Sequence, residues 1–258
     1  MAKKIALSLR GGGARCAAYF GLLRFLDEEK IKVDAFIGSS GGALIGILYS
    51  ACGLTEDIIT FFSELKPREF VSWKSFFSLN KFDSIKGGKK ISEFIGYERL
   101  ENLPIKVYVQ ASNISTGRSD IFEQGNLPAL IGASSAVSGL ASLVRINGVT
   151  YTDGDVVSGY ASDFLRERGY NFIIGANVDK ATYGKNVSSN TVSKALVIAM
   201  AEIKRLDNAV SPVDFLFDKM LPEDKYHIFS FSSSKKIADL GYEFARAKKD
   251  ELLDSLRK

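Results

Sequence analysis

Two glycine-rich turns, one after each of the first two apolar runs, narrow what this chain can fold into. Lys4 to Leu9 is a short β-type run, followed by Arg10-Gly11-Gly12-Gly13-Ala14-Arg15 and a helical pattern from Ala14 to Glu29. Val33 to Gly38 is a second β-type run. It is followed by Gly38-Ser39-Ser40-Gly41-Gly42 and an apolar helix from Gly41 to Ala51 that stops at Gly53. A strand returned by a helix lies parallel to its successor, because only a long crossover brings the chain back to the same end of the sheet. The sheet is then covered by helices, so the expected class is α/β with a mainly parallel sheet.

The rest of the chain continues the alternation. Thr55 is placed to cap a third helix, with Glu56 and Asp57 in its first turn, where the helix dipole favours acids. A helical run covers Gly88 to Ile95, and Pro104 to Ala111 reads as a strand with Ser119 to Glu123 as its partner. A small-residue segment, Ile131 to Leu140, precedes a hairpin pattern over Val144 to Tyr151. Its Asn147-Gly148 pair suits the positive φ of a tight turn. Beyond it come a helix (Ala161 to Arg168), a strand (Asn171 to Asn177) and a long helix near Thr191 to Asn208. A last strand near His227 to Phe231 and a charged helix from Lys235 complete the reading. No linker divides the 258 residues, so a single domain over 1–258 is expected.

Composition excludes several classes. With 46% hydrophobic and 25% charged residues the chain has the material for a packed core. A net charge of +4, dispersed along the sequence, is too weak for a nucleic-acid binder. Cys16 and Cys52 form no disulfide framework, and the apolar run at Ile5 to Leu9 is too short for a signal sequence. No run of about 18 apolar residues is present to span a bilayer. A cytoplasmic protein is expected, with peripheral membrane contact as its one membrane association. With one histidine, distant cysteines and no calcium-loop spacing, neither metal nor cofactor is expected.

Three motifs carry chemistry. Gly38-Ser39-Ser40-Gly41-Gly42 is a G-x-S-x-G sequence between a strand and a helix, the context that holds a nucleophilic serine on a strained turn. Gly38 and Gly41 relieve the crowding there, and the following helix aims its N-terminal amides at the serine. Gly11, Gly12 and Gly13 leave backbone N–H groups unobstructed, which suits a nest for an oxyanion. Asp153-Gly154-Asp155, after the hairpin, supplies a carboxylate base and gains its meaning from the other two motifs. A dinucleotide loop is the competing reading of Gly11-x-Gly13-x-x-Cys16. The third glycine is missing, and Gly38-Ser39 stands where an acid for a ribose belongs.

Taken together, a G-G-G-x-R loop, a G-x-S-x-G turn and a later D-G motif resemble the patatin-like phospholipases. The resemblance extends to Ala133-Ser134-Ser135-Ala136-Val137-Ser138-Gly139, to the closing Ile228-Phe229-Ser230 strand and to the helix holding Gly241-Tyr242. It implies a three-layer α/β/α sandwich and a serine–aspartate dyad without histidine: Ser40 as nucleophile and Asp153 as base. It implies Gly11, Gly12 and Gly13 as oxyanion donors, with Arg15, Gly38, Gly41 and Gly154 in support. The implied substrate is a lipid acyl ester and the implied reaction is hydrolysis of the phospholipase A or lysophospholipase type, through an acyl-enzyme. Cys16 replaces a usual glycine, Ser138 a usual proline, and Asp155 the usual second Gly or Ala of the aspartate motif. That last departure puts a second carboxylate beside the base and alters its titration.

The order Ser40, Asp153, His227 also matches a hydrolase triad, but only one strand precedes the strand that leads into the serine turn, and His227 is expected to cap the last strand instead. Residues 58–82 interleave Phe61, Phe62, Phe70, Trp73, Phe76, Phe77 and Phe82 with Lys66, Arg68, Lys74 and Lys81. Such a stretch suits a bilayer interface or a lid, and equally the packed core of a helical insertion. Two other functions use the same scaffold: an acyltransferase or thioesterase with the same serine, and a non-catalytic lipid-binding protein.

Overall fold

The computed structural model describes residues 3–66, 85–136, 143–157, 159–178, 212–222 and 225–258. The chain opens with β1 (Ile5–Leu9), which runs through a 3-10 turn at Gly13–Ala17 into helix α1 (Ala18–Glu28). β2 (Ala35–Ser39) passes directly into α2 (Ser40–Cys52), and α3 (Glu56–Glu64) follows. The Thr55 hydroxyl accepts from the Ile58 amide and caps α3, as its place in the sequence predicts. Next come α4 (Ile85–Ile95), β3 (Lys106–Asn113), β4 (Arg118–Phe122) and α5 (Leu127–Ser134). The hairpin β5 (Val144–Ile146) and β6 (Val149–Thr152) turns through Asn147 at φ 50° and Gly148 at φ 85°. α6 (Ser162–Glu167), β7 (Phe172–Ala176), β8 (Phe215–Phe217), α7 (Ser234–Ala247) and α8 (Lys249–Arg257) complete the described elements.

The sheet runs β5-β6-β3-β2-β1-β7-β8, with β4 attached to β3. From β3 to β8 the pairs along this order are parallel, and β4, β5 and β6 add antiparallel pairing at one end. Register explains the local geometry. β2 and β4 both pair with Val109 and Gln110, so they occupy opposite edges of β3. β4 and β6 both pair with Ser112 and Asn113, which puts β6 on the β2 edge, just past the point where β2 ends at Ser39. The residue after Thr152 therefore arrives beside the start of α2.

Side chains alternate across the sheet with period two. Leu7, Leu9, Phe36, Val107, Val109, Phe172 and Ile174 face one core, filled by α1, α2, α3 and α7. Ala6, Ala35, Ile37, Tyr108 and Ile173 face the other side with Leu165 of α6 and Tyr170. The result is a helix–sheet–helix sandwich, the layering the alternating pattern predicts. α2 is apolar on all sides and is buried from Ser40 to Leu48, as befits a helix inside the structure rather than on it.

Some expectations change. The run His227 to Phe231 alternates like a strand but forms a turn, because the Ile228 carbonyl accepts from the Ala14 amide instead of joining a ladder. The eighth strand is the short Phe215–Phe217, which pairs with β7. Part of the small-residue segment is helical, as α5. Phe62 is buried and meets Phe20 and Phe231 edge-on, and Phe61 stacks on Phe94, so this end of the aromatic stretch belongs to the core. Its remainder from residue 67 on, the helix near Thr191 to Asn208 and Ser138 lie outside the described residues. Among the described residues no helix is long and apolar enough to cross a membrane, and no cluster has the make-up of a metal site.

Candidate active site

The site forms at the C-terminal ends of β1 and β2, where an open α/β sheet presents its loops. β2 ends at Ser39 and α2 begins on Ser40, which sits at φ 49°. A non-glycine residue in this left-handed region costs about 1–2 kcal/mol and persists only where its surroundings over-determine it. Here they do. The Ser40 amide donates to Ser134 Oγ at 2.9 Å, and Ser134 Oγ donates to the Gln110 carbonyl at 2.7 Å, which pins the turn to α5 and β3. The neighbouring glycines leave no room for a side chain. A Cβ on Gly42 would stand 2.4 Å from the Leu9 carbonyl oxygen, and one on Gly38 would stand 2.7 Å from the Ala43 nitrogen. On Gly41 it would meet the Gly13 carbonyl oxygen at 2.7 Å.

Asp153 follows β6 directly. Its amide donates to the Ala136 carbonyl at 2.8 Å, and its carbonyl accepts from Ser112 Oγ at 2.8 Å. Gly154 is required next, since a Cβ there would lie 2.1 Å from the Gln110 carbonyl oxygen. The Asp153 carboxylate accepts from the Asp155 amide at 2.8 Å, and the Ser40 side chain is near enough to lower its pKa. Burial first, and then the neighbouring Asp155 charge, push its pKa up to about 7, while Ser40 and the Asp155 amide oppose the rise. A carboxylate with that proton affinity is half ionised at neutral pH and is a far better base than aspartate in water.

The glycine loop folds over this pair. A Cβ on Gly11 would lie 3.0 Å from Ser40 Cβ, so loop and serine are in contact. Gly13 has φ 60° and rests against the Ile228 carbonyl. The Gly11 amide donates to Asp155 Oδ1 at 3.1 Å, which corrects the expectation that all three glycines present open N–H groups. The amides of Gly12 and Gly13 have no acceptor among the described residues. Arg15 sits beside the loop with Nε donating to the Gly12 carbonyl at 3.3 Å. His227 is exposed on the far side of Ile228, and its Nδ1 accepts from the Phe229 amide at 3.4 Å. Among the described residues no hydrogen bond joins it to Ser40 or Asp153.

Ser40, Asp153, Gly11, Gly38, Gly41 and Gly154 thus meet at one place in the fold, with Gly12 and Gly13 in the adjoining loop. The sequence underplays Ser134, Ser39 and Arg10. Ser134 was visible only as part of the Ala133-Ser134-Ser135 resemblance, and Arg10 only as the residue leading into the glycines.

A strained serine on a strand-to-helix turn, a buried aspartate and a glycine loop in contact with the serine thus share one end of the sheet in an α/β/α sandwich. Residues 7–161 match the patatin-like phospholipase family, and the chain belongs to it. It is 26% identical over 179 residues to lysophospholipase NTE1 of Candida albicans, covering 67% of this chain and 13% of that protein. With lysophospholipase NTE1 of Pyricularia oryzae it shares 24% identity over 284 residues, covering 99% of this chain and 19% of the relative. The chain thus spans less than a fifth of the length of the curated relatives it matches. Among solved structures, VipD from Legionella pneumophila is similar with a TM-score of 0.49 and 14% identity, covering 97% of this chain and 67% of that one.

Proposed function

We propose that this chain hydrolyses carboxylic esters of lipids, of the lysophospholipid or phospholipid type, with Ser40 as nucleophile and Asp153 as its base. Ser40 Oγ attacks the acyl carbonyl while its proton passes to Asp153, and the oxyanion formed is received by the Gly12 and Gly13 amides and by the Gly41 amide in the first turn of α2. Collapse expels the alcohol, which takes the proton from Asp153 and leaves an acyl ester on Ser40. Water, deprotonated in turn by Asp153, releases the acid and restores the serine. The observation that carries this reading is the strained serine turn at Ser40 together with a buried Asp153 carboxylate whose pKa is raised to about 7. The lipid nature of the ester follows the family and the lysophospholipase relatives.

Fluorophosphonate labelling read by intact mass tests it. Wild type gains one adduct, Ser40→Ala gains none, and Asp153→Asn labels slower by about 100-fold or more, the scale of losing a positioned base. His227→Ala labels and hydrolyses lysophosphatidylcholine near the wild-type rate. Loss of both in a folded histidine variant would replace the dyad by a triad.

A further inference from the structure

Asp155 makes contacts that the dyad does not call for. Its Oδ1 accepts from Arg10 Nε at 3.0 Å, from the Gly11 amide at 3.1 Å and from Ser39 Oγ at 3.0 Å. The donors come from three places: the end of β1, the glycine loop, and the residue before Ser40. All three side chains, Arg10, Ser39 and Asp155, are buried. A buried carboxylate is strongly disfavoured unless it is paired and hydrogen-bonded, and here the ion pair with Arg10 and the two further donors meet that need. The positions also touch, since a Cβ on Gly11 would lie 3.1 Å from Asp155 Cβ and 3.0 Å from Ser40 Cβ.

We propose that Asp155 is a positioning residue: by tying the glycine loop to the residue preceding Ser40 it holds the Gly12 and Gly13 amides where negative charge develops. The inference rests on Ser40 being the nucleophile. Three successive glycines have more backbone freedom than any other sequence, and donors that wander lose most of their value to a transition state. Anchoring the first of the three at its amide restricts the next two, which keep their own N–H groups open. Arg10 balances the charge, so the anchor is held without leaving the site with an uncompensated carboxylate. The same Asp155 offers its backbone amide to the Asp153 carboxylate at 2.8 Å, so loop, serine turn and base share one fixed point.

The test measures kcat, KM and the pH profile on p-nitrophenyl butyrate for Asp155→Ala, Asp155→Asn, Ser39→Ala and Ser40→Ala, with melting curves for each. Asp155→Ala is expected to lower kcat by about 100-fold with KM changed by about threefold or less, the signature of a contact that matters in the transition state. Asp155→Asn keeps an oxygen for Gly11 and Ser39, so its loss is held to about tenfold. Its acid limb also moves to lower pH, because the charge beside Asp153 is gone. Ser39→Ala removes one of the three donors and is expected to lower kcat by about tenfold with the acid limb unmoved. Wild-type kcat in Asp155→Ala, with hydrolysis abolished in Ser40→Ala, overturns this proposal alone; hydrolysis surviving in Ser40→Ala overturns both readings. If the alanine variant does not fold, wild-type kcat in Ser39→Ala overturns it.

Discussion

At the scale of single residues the site is governed by where two carboxylates sit. Asp153 and Asp155 are both buried, yet among the described residues a cation, Arg10, pairs with the carboxylate of Asp155 and none with that of Asp153. Asp153 has a serine and an amide, which oppose burial without cancelling it, and its pKa is about 7. Two consequences follow with definite signs. Activity needs the ionised form, so kcat/KM is expected to fall below about pH 7, by about tenfold per unit well below the limb. Stability moves the other way. An unfolded aspartate titrates near about 3.9, so between there and about 7 the folded chain holds a proton that the unfolded chain has released. Folding stability attributable to this group therefore drops as the pH rises through that window, and the whole penalty stands above it. Asp153→Asn is expected to melt higher than wild type at pH 8, by the equivalent of about 1–3 kcal/mol, and the gap should close toward pH 5. Calorimetry across that range checks it, and a gap that widens on acidification would refute the assignment. None of this was open to sequence reading beyond the expectation that Asp155 would disturb its neighbour. That Asp155 accepts the Gly11 amide depends on side-chain geometry that no spacing rule contains.

At the scale of elements, what could be read was what is local. Both strand-to-helix turns, the cap at Thr55 and the hairpin at Asn147-Gly148 are determined by neighbours in sequence, and each forms where the residues predict it. What failed was non-local. His227 to Phe231 has strand-like alternation, but the Ile228 carbonyl is taken by Ala14 across the fold. The strand that takes the outer edge of β7, opposite β1, is three residues long and gives almost no periodic signal. Helix packing is non-local too. A Cβ on Gly21 would lie 1.9 Å from the Ala238 carbonyl oxygen, and one on Gly241 would lie 2.1 Å from that of Ala18. α1 and α7 thus meet backbone to backbone, and the glycines are what allow it. Gly241→Ala gains helix propensity on paper, but it is expected to destabilise by about 1–3 kcal/mol because neither backbone can retreat without moving a whole helix. Urea unfolding with an unchanged m value checks this, and a stabilised variant would mean that the helices separate freely.

At the scale of the molecule, the parallel strands give the sheet two ends with different duties. Arg10, Gly11, Ser39 and Ser40 all lie at the C-terminal ends of β1 and β2. The opposite ends are closed by the last helix: Lys3 Nζ donates to the Ser255 carbonyl at 3.3 Å, and Ser255 Oγ donates to the Asp214 carbonyl at 3.2 Å. Lys3 lies two residues before β1 and Asp214 immediately before β8, so α8 clasps the edge away from the site. Five residues of strand separate the two edges, about 17 Å at the usual rise. Leu252 of α8 is fully buried in the main core, and Leu252→Ala removes its contacts and leaves a cavity, a loss of about 2–5 kcal/mol. If the chemistry resides where Ser40 and Asp153 meet, that loss should reach melting temperature and not turnover. The expected result is a lower denaturation midpoint together with wild-type kcat per serine labelled by fluorophosphonate, measured well below the new midpoint. A parallel loss of turnover per labelled serine would show that the far edge of the sheet helps to hold the serine turn in its strained form, and the separation of duties between the two ends would have to be abandoned.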